Sequence, residues 1–165
     1  QQFTQHRRLA EFLHQAGGLG ESQDQRDPQE HRGGVLGVRA AEHYGNSSLQ
    51  DLETRVYAWA RELSTQVRCR QTNHEGEYVE WLHQALTGAD ALVLNPGAWT
   101  HYSWALRDAV EPFPGPVVEV HISNVDEREE WRRFSVLEGI AAKRIVGRGI
   151  EGYRDALRYL VEGGG

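Results

Sequence analysis

The chain has 165 residues, 39% of them hydrophobic and 25% charged, with a formal net charge of -6. That is enough for one domain with a buried core. The negative balance argues against nonspecific nucleic-acid binding, which needs Lys and Arg to neutralise phosphates, although a pocket in an acidic protein can still be locally basic. No apolar run approaches the roughly 20 residues of a membrane span, and no basic stretch followed by an apolar run reads as a signal peptide. The expectation is a soluble cytoplasmic protein with neither nucleic acid nor membrane as partner. The one cysteine, Cys69, has no disulfide partner and no neighbour at metal-ligand spacing. It reads as a buried or half-buried strand residue, and no metal site is expected.

The first part of the chain, residues 1–32, is an atypical polar segment rich in Gln, Glu, Asp, Arg and His. Phe3, Leu9, Phe12 and Leu13 line one face of a short expected helix, and Gly17 to Arg32 reads as loop. An α/β domain is expected over residues 33–165. In it Ser48 caps a helix that carries Leu52, Val56, Trp59, Ala60 and Leu63 at helical spacing. Val67 to Thr72 reads as a strand, Glu75 to Leu86 as a helix, and Ala91 to Leu94 as a fully apolar strand. Ser103 to Val110 is a helix, Pro116 to Ile122 a β-branched strand, Glu127 to Phe134 a short charged helix. Ile140 to Val146 is a weaker strand, and Gly152 to Val161 a last helix with Tyr153, Ala156, Leu157, Leu160 and Val161 as its stripe.

Strands alternating with helices imply a parallel sheet covered on both faces, a flavodoxin-like three-layer sandwich. Such a fold needs a strong central first strand. Only the short, glycine-rich stretch from Gly33 to Val38 offers one, so the first strand is expected to be degraded or missing. Ligands in these folds sit beyond the carboxyl ends of the strands, where Asn95 and His121 to Ser123 fall.

Glu119, His121 and Ser123 project on one side of a strand. A carboxylate beside a histidine orients the imidazole and suits it to general acid work; the same pattern also fits a histidine bonded for structure alone. Asn95 to His101 places an amide and a second imidazole after another strand, though Asn and Pro begin many ordinary turns. Arg128, Arg132 and Arg133 follow on a charged helix, most of which reads as solvated; one inward Arg would suit carboxylate recognition. Arg39 and Tyr44 share a polar loop, where the cation would favour the phenolate, or where both are simply exposed.

These segments together resemble the type II 3-dehydroquinate dehydratase family. Gln71-Thr72-Asn73-His74-Glu75-Gly76-Glu77 with Trp81 and His83 resembles the family's QSNHEGE…WIH segment, and Asn95 to Ser103 its NPAAYSHTS segment, continued by Ala105 to Ala109. Glu119-Val120-His121-Ile122-Ser123-Asn124 is its EVHISN signature. Arg128 to Arg132 and the closing Gly147 to Tyr153 follow at the family spacing. The resemblance covers about Leu36 to Val161.

It implies a carbon–oxygen lyase of the shikimate pathway that eliminates water from 3-dehydroquinate through an enolate, giving 3-dehydroshikimate without metal or cofactor. Tyr44 would remove the proton from carbon 2, Arg39 would favour its phenolate, and His121, supported by Glu119, would protonate the departing hydroxyl. Asn95, His101, Ile122, Ser123 and Arg132 match substrate-binding positions. Asp108 matches a residue that reaches a neighbouring subunit's site, in a homo-oligomer of trimers grouped into dodecamers. The chain departs from the family at its NGPNLNLLG motif: aligned on Leu36-Gly37, Arg32 stands where the family has a catalytic asparagine. Phe134 and Val136 also replace the usual His and Tyr. A non-catalytic relative that binds a quinate-like ligand or assembles with intact subunits is the alternative. A generic flavodoxin-like phosphate or nucleotide binder is a third reading, weakened by the lack of a glycine-rich loop after a clear first strand.

Overall fold

The computed structural model describes residues 9–15 and 49–163. Five strands form one sheet, β1 (Leu9–Gln15), β2 (Gln66–Thr72), β3 (Ala91–Asn95), β4 (Val117–His121) and β5 (Lys143–Val146), in the order β2-β1-β3-β4-β5. Every pairing is parallel. This is the flavodoxin-like order, with its switch point between β1 and β3. The helices are α1 (Leu49–Glu62), α2 (Glu75–Gly88), α3 (Trp104–Val110), α4 (Glu130–Arg133) and α5 (Glu151–Glu162), with short 3-10 turns at Gly97–His101 and Val125–Glu127. Among the described residues no helix is long and apolar enough to cross a membrane.

Parallel strands need helical crossovers, so both faces of the sheet are covered. On one face Leu52, Val56 and Trp59 of α1 and Tyr153, Ala156, Leu157 and Leu160 of α5 pack on Phe12, Val93, Val118 and Val120. On the other, Tyr78, Leu82 and Ala85 of α2 and Leu106, Ala109 and Val110 of α3 pack on Leu13, Leu92 and Leu94. Burying each such side chain contributes roughly 1.5–3 kcal/mol. The Tyr78 hydroxyl, fully buried, donates to the Leu13 carbonyl at 2.9 Å.

The centre of the sheet corrects the sequence reading. The helix expected along Phe3, Leu9, Phe12 and Leu13 is a strand from Leu9 to Gln15, and the central position expected to be degraded or missing is filled by it. Leu9, Phe12 and Leu13 fall on one face at helical spacing. In the fold Phe12 and Leu13 go instead to opposite faces, each meeting its own core. A strand buried on both sides shows no alternation by which to recognise it. Glu11 hides the pattern further, because a carboxylate in mid-strand reads as surface. It is buried, 1% exposed, and accepts from Arg68 Nε at 2.9–3.0 Å and pairs with Arg70 Nε at 3.1 Å, both on the neighbouring β2. The Gly33–Val38 stretch lies outside the described residues.

Smaller differences concern the last quarter of the chain. The helix expected from Glu127 to Phe134 splits into the 3-10 turn and the four-residue α4, and the strand expected from Ile140 begins only at Lys143. Ile140 and Ala141 pack against the α2–α3 core before the chain enters the sheet. Cys69 is half-buried on β2, and burial pushes its thiol up to about 12, as expected of a strand residue without reactive character.

The buried Glu11 predicts an asymmetry. Changing Arg68 and Arg70 together to Met leaves an uncompensated carboxylate and should lower unfolding stability by about 3–5 kcal/mol in urea. Adding Glu11→Leu to that pair should recover most of the loss. No recovery would show that the arginines act through packing alone.

Candidate active site

The sheet's carboxyl edge assembles the site. The β4 strand is buried along its whole length, and its last residue, His121, is 4% exposed. Glu119 and His121 lie two apart and face the same side. His121 Nε2 lies 2.7 Å from Glu119 Oε1. A carboxylate only accepts, so Nε2 carries a proton and Nδ1 is the nitrogen left for chemistry. The carboxylate has two further neutral donors: Thr100 Oγ1 at 2.5 Å and Ser135 Oγ at 2.8 Å and 3.0 Å to its two oxygens. Burial pushes the Glu119 carboxyl up, but the hydrogen bond and charge of His121, with Thr100 and Ser135, outweigh it and hold the group below the usual carboxylate value. Glu119 is therefore ionised at neutral pH while fully buried.

The 3-10 turn after β3 brings the second imidazole. His101 Nδ1 donates to the Phe134 carbonyl at 2.7 Å, and its ring stacks on that of His121 with centroids 6.1 Å apart. Burial lowers the His101 pKa, the Phe134 carbonyl opposes this, and the charges of His121 and Arg132 lower it further. A neutral His101 with Nδ1–H committed leaves Nε2 free to accept. Ser103 caps α3 by accepting from the Leu106 amide at 3.0 Å, which fixes the end of the turn.

Asn95, at the tip of β3, is aimed by both ends of its amide. Its Nδ2 donates to the Tyr153 hydroxyl at 2.8 Å, and its Oδ1 accepts from the Gly97 amide at 3.2 Å. Beyond β4, Ile122 is buried and Ser123 half-buried. The segment is held by backbone: the Gly147 amide donates to the carbonyls of both His121 and Ser123 at 3.1 Å, and the Gly149 amide to that of Ile122 at 3.0 Å. Gly147 has φ +70°, and a Cβ there would stand 2.9 Å from Asn124 Cβ, so only glycine fits. On α4, Arg132 Nε donates to Glu129 at 3.0 Å. Its guanidinium lies over the Trp131 indole, 4.0 Å from the centroid, and the same indole meets His101 edge-on at 5.3 Å.

The comparisons with known proteins show the family. The sequence model of the family described as Dehydroquinase class II matches residues 33–161. The chain belongs to that family. The 3-dehydroquinate dehydratase of Deinococcus radiodurans is 52% identical over 128 residues, 77% of this chain and 90% of that one. That of Bacillus pumilus is 50% identical over 130 residues, covering 79% and 88%. Among solved structures, the type II dehydroquinase of Butyrivibrio crossotus superposes with a TM-score of 0.79 at 34% identity, covering 93% of this chain and 97% of that one. That of Propionibacterium acnes gives 0.75 at 33% identity, covering 94% and 97%.

Of the residues expected in the site, the fold brings together Glu119, His121, His101, Ile122, Ser123 and Arg132, with Asn95 at the neighbouring strand end. Arg132, which the sequence alone did not separate from Arg128 and Arg133, is the arginine whose charge reaches His101. Asp108 is exposed on α3, with no hydrogen bond or ion pair to this cluster among the described residues. Tyr44 and Arg39 lie outside the described residues. Sequence reasoning did not assign Thr100, Ser135 or Trp131 to the site, and it took Tyr153 for packing. Thr100 sits beside His101 in the same motif, and Tyr153 ends the Gly147 to Tyr153 stretch, so their positions carried a signal their residue types did not.

The ionised, buried Glu119 has a pH consequence. Its folded pKa lies below its unfolded value, so its contribution to stability is present above about pH 4.5 and is lost as pH falls through the folded value. Glu119→Gln should melt earlier than the parent at pH 7, with the gap closing in thermal scans as the pH falls through the lowered Glu119 value.

Proposed function

We propose that this chain is a working hydro-lyase that eliminates water from 3-dehydroquinate to give 3-dehydroshikimate in the shikimate pathway of aromatic amino acid biosynthesis. The observation that carries the reading is the Glu119–His121 pair: a buried carboxylate fixes Nε2–H and leaves Nδ1 uncommitted to it. His121 delivers the Nδ1 proton to the departing hydroxyl. Tyr44, with its phenolate favoured by Arg39, takes the proton from carbon 2. The electron pair of that C–H bond passes through the enolate and forms the new double bond as the C–O bond breaks, and the hydroxyl leaves as water. Asn95, neutral His101, Ile122, Ser123 and Arg132 hold the substrate's oxygens and carboxylate. The protein's own groups balance the reaction, without a cofactor or metal. The relatives at about half identity bear the name of this activity, which supports the assignment.

The same reading includes a cytoplasmic homo-oligomer built of trimers in a dodecamer. Four large aromatics at this end of the molecule stand in water: Tyr102, Trp104, Trp131 and Phe134 are 45–61% exposed, and Trp104 and Phe134 lie 6.3 Å apart. A patch of this kind marks an interface. Asp108, exposed on the same helix as Trp104, is then the residue offered to a neighbouring subunit's site.

One observation favours the second reading, a non-catalytic relative that binds a quinate-like ligand. The family match begins at residue 33, whereas the central strand is Leu9–Gln15. The motif that should follow that strand has Arg32 in place of its asparagine, which would remove part of the enolate's stabilisation, a term worth about 3 kcal/mol.

Ultraviolet detection of the conjugated enone separates the two. The parent chain should form product, and Tyr44→Phe and His121→Ala should each lower kcat by about 10²–10⁴-fold. A well-folded parent that binds a quinate analogue and makes no enone would establish the non-catalytic reading.

A further inference from the structure

Arg144 belongs to none of the motifs that mark this family in the sequence, yet it stands directly behind the acid–base pair. It lies on β5 in register with Glu119 across the β4–β5 ladder. Its neighbour Ile145 points to the α1–α5 core, so Arg144 faces the other side, where Glu119 and His121 are. Its Nη1 donates to Asp126 Oδ1 at 2.9 Å, and its Nε lies 3.9 Å from Glu119 Oε2. The second distance is Coulombic contact, too long for a hydrogen bond. Nε and Nη2 are buried and have no hydrogen-bond partner.

We propose that Arg144 is a positioning residue for proton delivery: it is the counter-charge that holds Glu119 once His121 has given up its proton. The inference rests on the reading of His121 as the acid. Before transfer, the Glu119 carboxylate and the His121 imidazolium neutralise each other. The Nδ1 proton goes to the leaving hydroxyl, and His121 is left as the neutral Nε2–H form, still donating to Glu119. The carboxylate then keeps its full charge among neutral donors, Thr100, Ser135 and that N–H. Apart from His121, Arg144 is the cation in ion-pair range of Glu119 among the described residues. It stabilises the state after transfer more than the state before, and so makes proton delivery easier.

On α2, burial and then the charges of Tyr153 and Glu119 raise the pKa of the Tyr78 hydroxyl, which donates to the Leu13 carbonyl. His101, stacked on His121, is held toward its neutral form by burial, and Arg132 of α4 lies over Trp131, its charge also lowering the His101 pKa. On α5 the Tyr153 hydroxyl accepts from Asn95 Nδ2 at 2.8 Å. Asp126 partly offsets Arg144, but it is about half exposed and screened by water, whereas Glu119 is 1% exposed. The cation's effect on Glu119 therefore outlasts its pairing with Asp126.

The test uses the full chain with Arg144→Gln and Arg144→Lys. The Glu119 carboxyl is followed by carbon NMR through an acid titration, and the pH–rate profile of kcat is measured beside it. Arg144→Gln should raise the Glu119 midpoint by about 0.5–1 unit, lower kcat about 3- to 10-fold, and leave KM unchanged because Arg144 does not touch substrate. The high-pH limb of kcat should move up with it, and Arg144→Lys should restore most of each effect. A folded Arg144→Gln in which the carboxyl titrates as in the parent overturns the proposal, as does a lysine variant that behaves like the glutamine one. If Arg144→Gln does not fold, Asp126→Asn decides the matter. Removing that exposed anion should lower the Glu119 midpoint, and an unchanged or raised midpoint overturns the idea. A parent chain with no activity would refute the dehydratase reading, while the carboxyl titration still decides this one.

Discussion

An ionised carboxylate placed out of contact with water must be given donors, and Glu119 draws them from three separate parts of the chain. His121 comes from its own strand, Thr100 from the turn after β3, and Ser135 from beyond α4. Each donor also fixes something the site needs. Thr100 precedes His101, so holding its hydroxyl fixes the turn that carries the second imidazole. Ser135 follows Phe134, whose carbonyl sets the His101 tautomer. The cost of burying one charge is offset by contacts that also set the geometry of two histidines.

The rest of the fold serves this arrangement by bringing strand ends to one edge. A doubly covered parallel sheet buries its strands on both faces and gathers the polar residues that can meet a ligand at their tips. Asn95 ends β3 and His121 ends β4, while the close packing behind them, Val93, Val118 and Val120 on one side and Leu92 and Leu94 on the other, keeps the tips from shifting. Glu11 in β1 is a second buried carboxylate answered by charge, here from two arginines of β2. That pairing ties the edge strand β2 to the centre of the sheet without touching the site.

Much of this was legible in the sequence, for physical reasons that can be named. Ala91 to Leu94 is an apolar run and Pro116 to Ile122 a β-branched one, and such stretches between turn signals mark strands and the polar residues at their ends. The Glu119–His121 spacing of two made the pairing visible, because side chains two apart on a strand share a face. Leu9 to Gln15 was not legible, since a central strand has no alternation and a mid-strand glutamate reads as surface until its arginine partners, 57 residues away in the case of Arg68, are brought beside it. Long-range partners were also what hid Ser135 and Arg144. Neither is near Glu119 in sequence, and a lone serine or arginine says nothing about which buried charge it will meet. Asp108 and the pair Arg39 and Tyr44 are a different matter: Asp108 makes no contact with the site cluster among the described residues, and Arg39 and Tyr44 lie outside those residues.

The turn at Gly147 has a mechanical meaning. One amide is shared between the carbonyls of His121 and Ser123, and Gly149 binds the carbonyl between them. The end of β4 is thereby laced to the end of β5 by three carbonyls in a row, with no side chain involved. A segment fastened in that way has no independent hinge. Any closing of the site over a ligand has to be done by other parts of the chain, and the strand tip bearing His121 acts as the anvil against which they close.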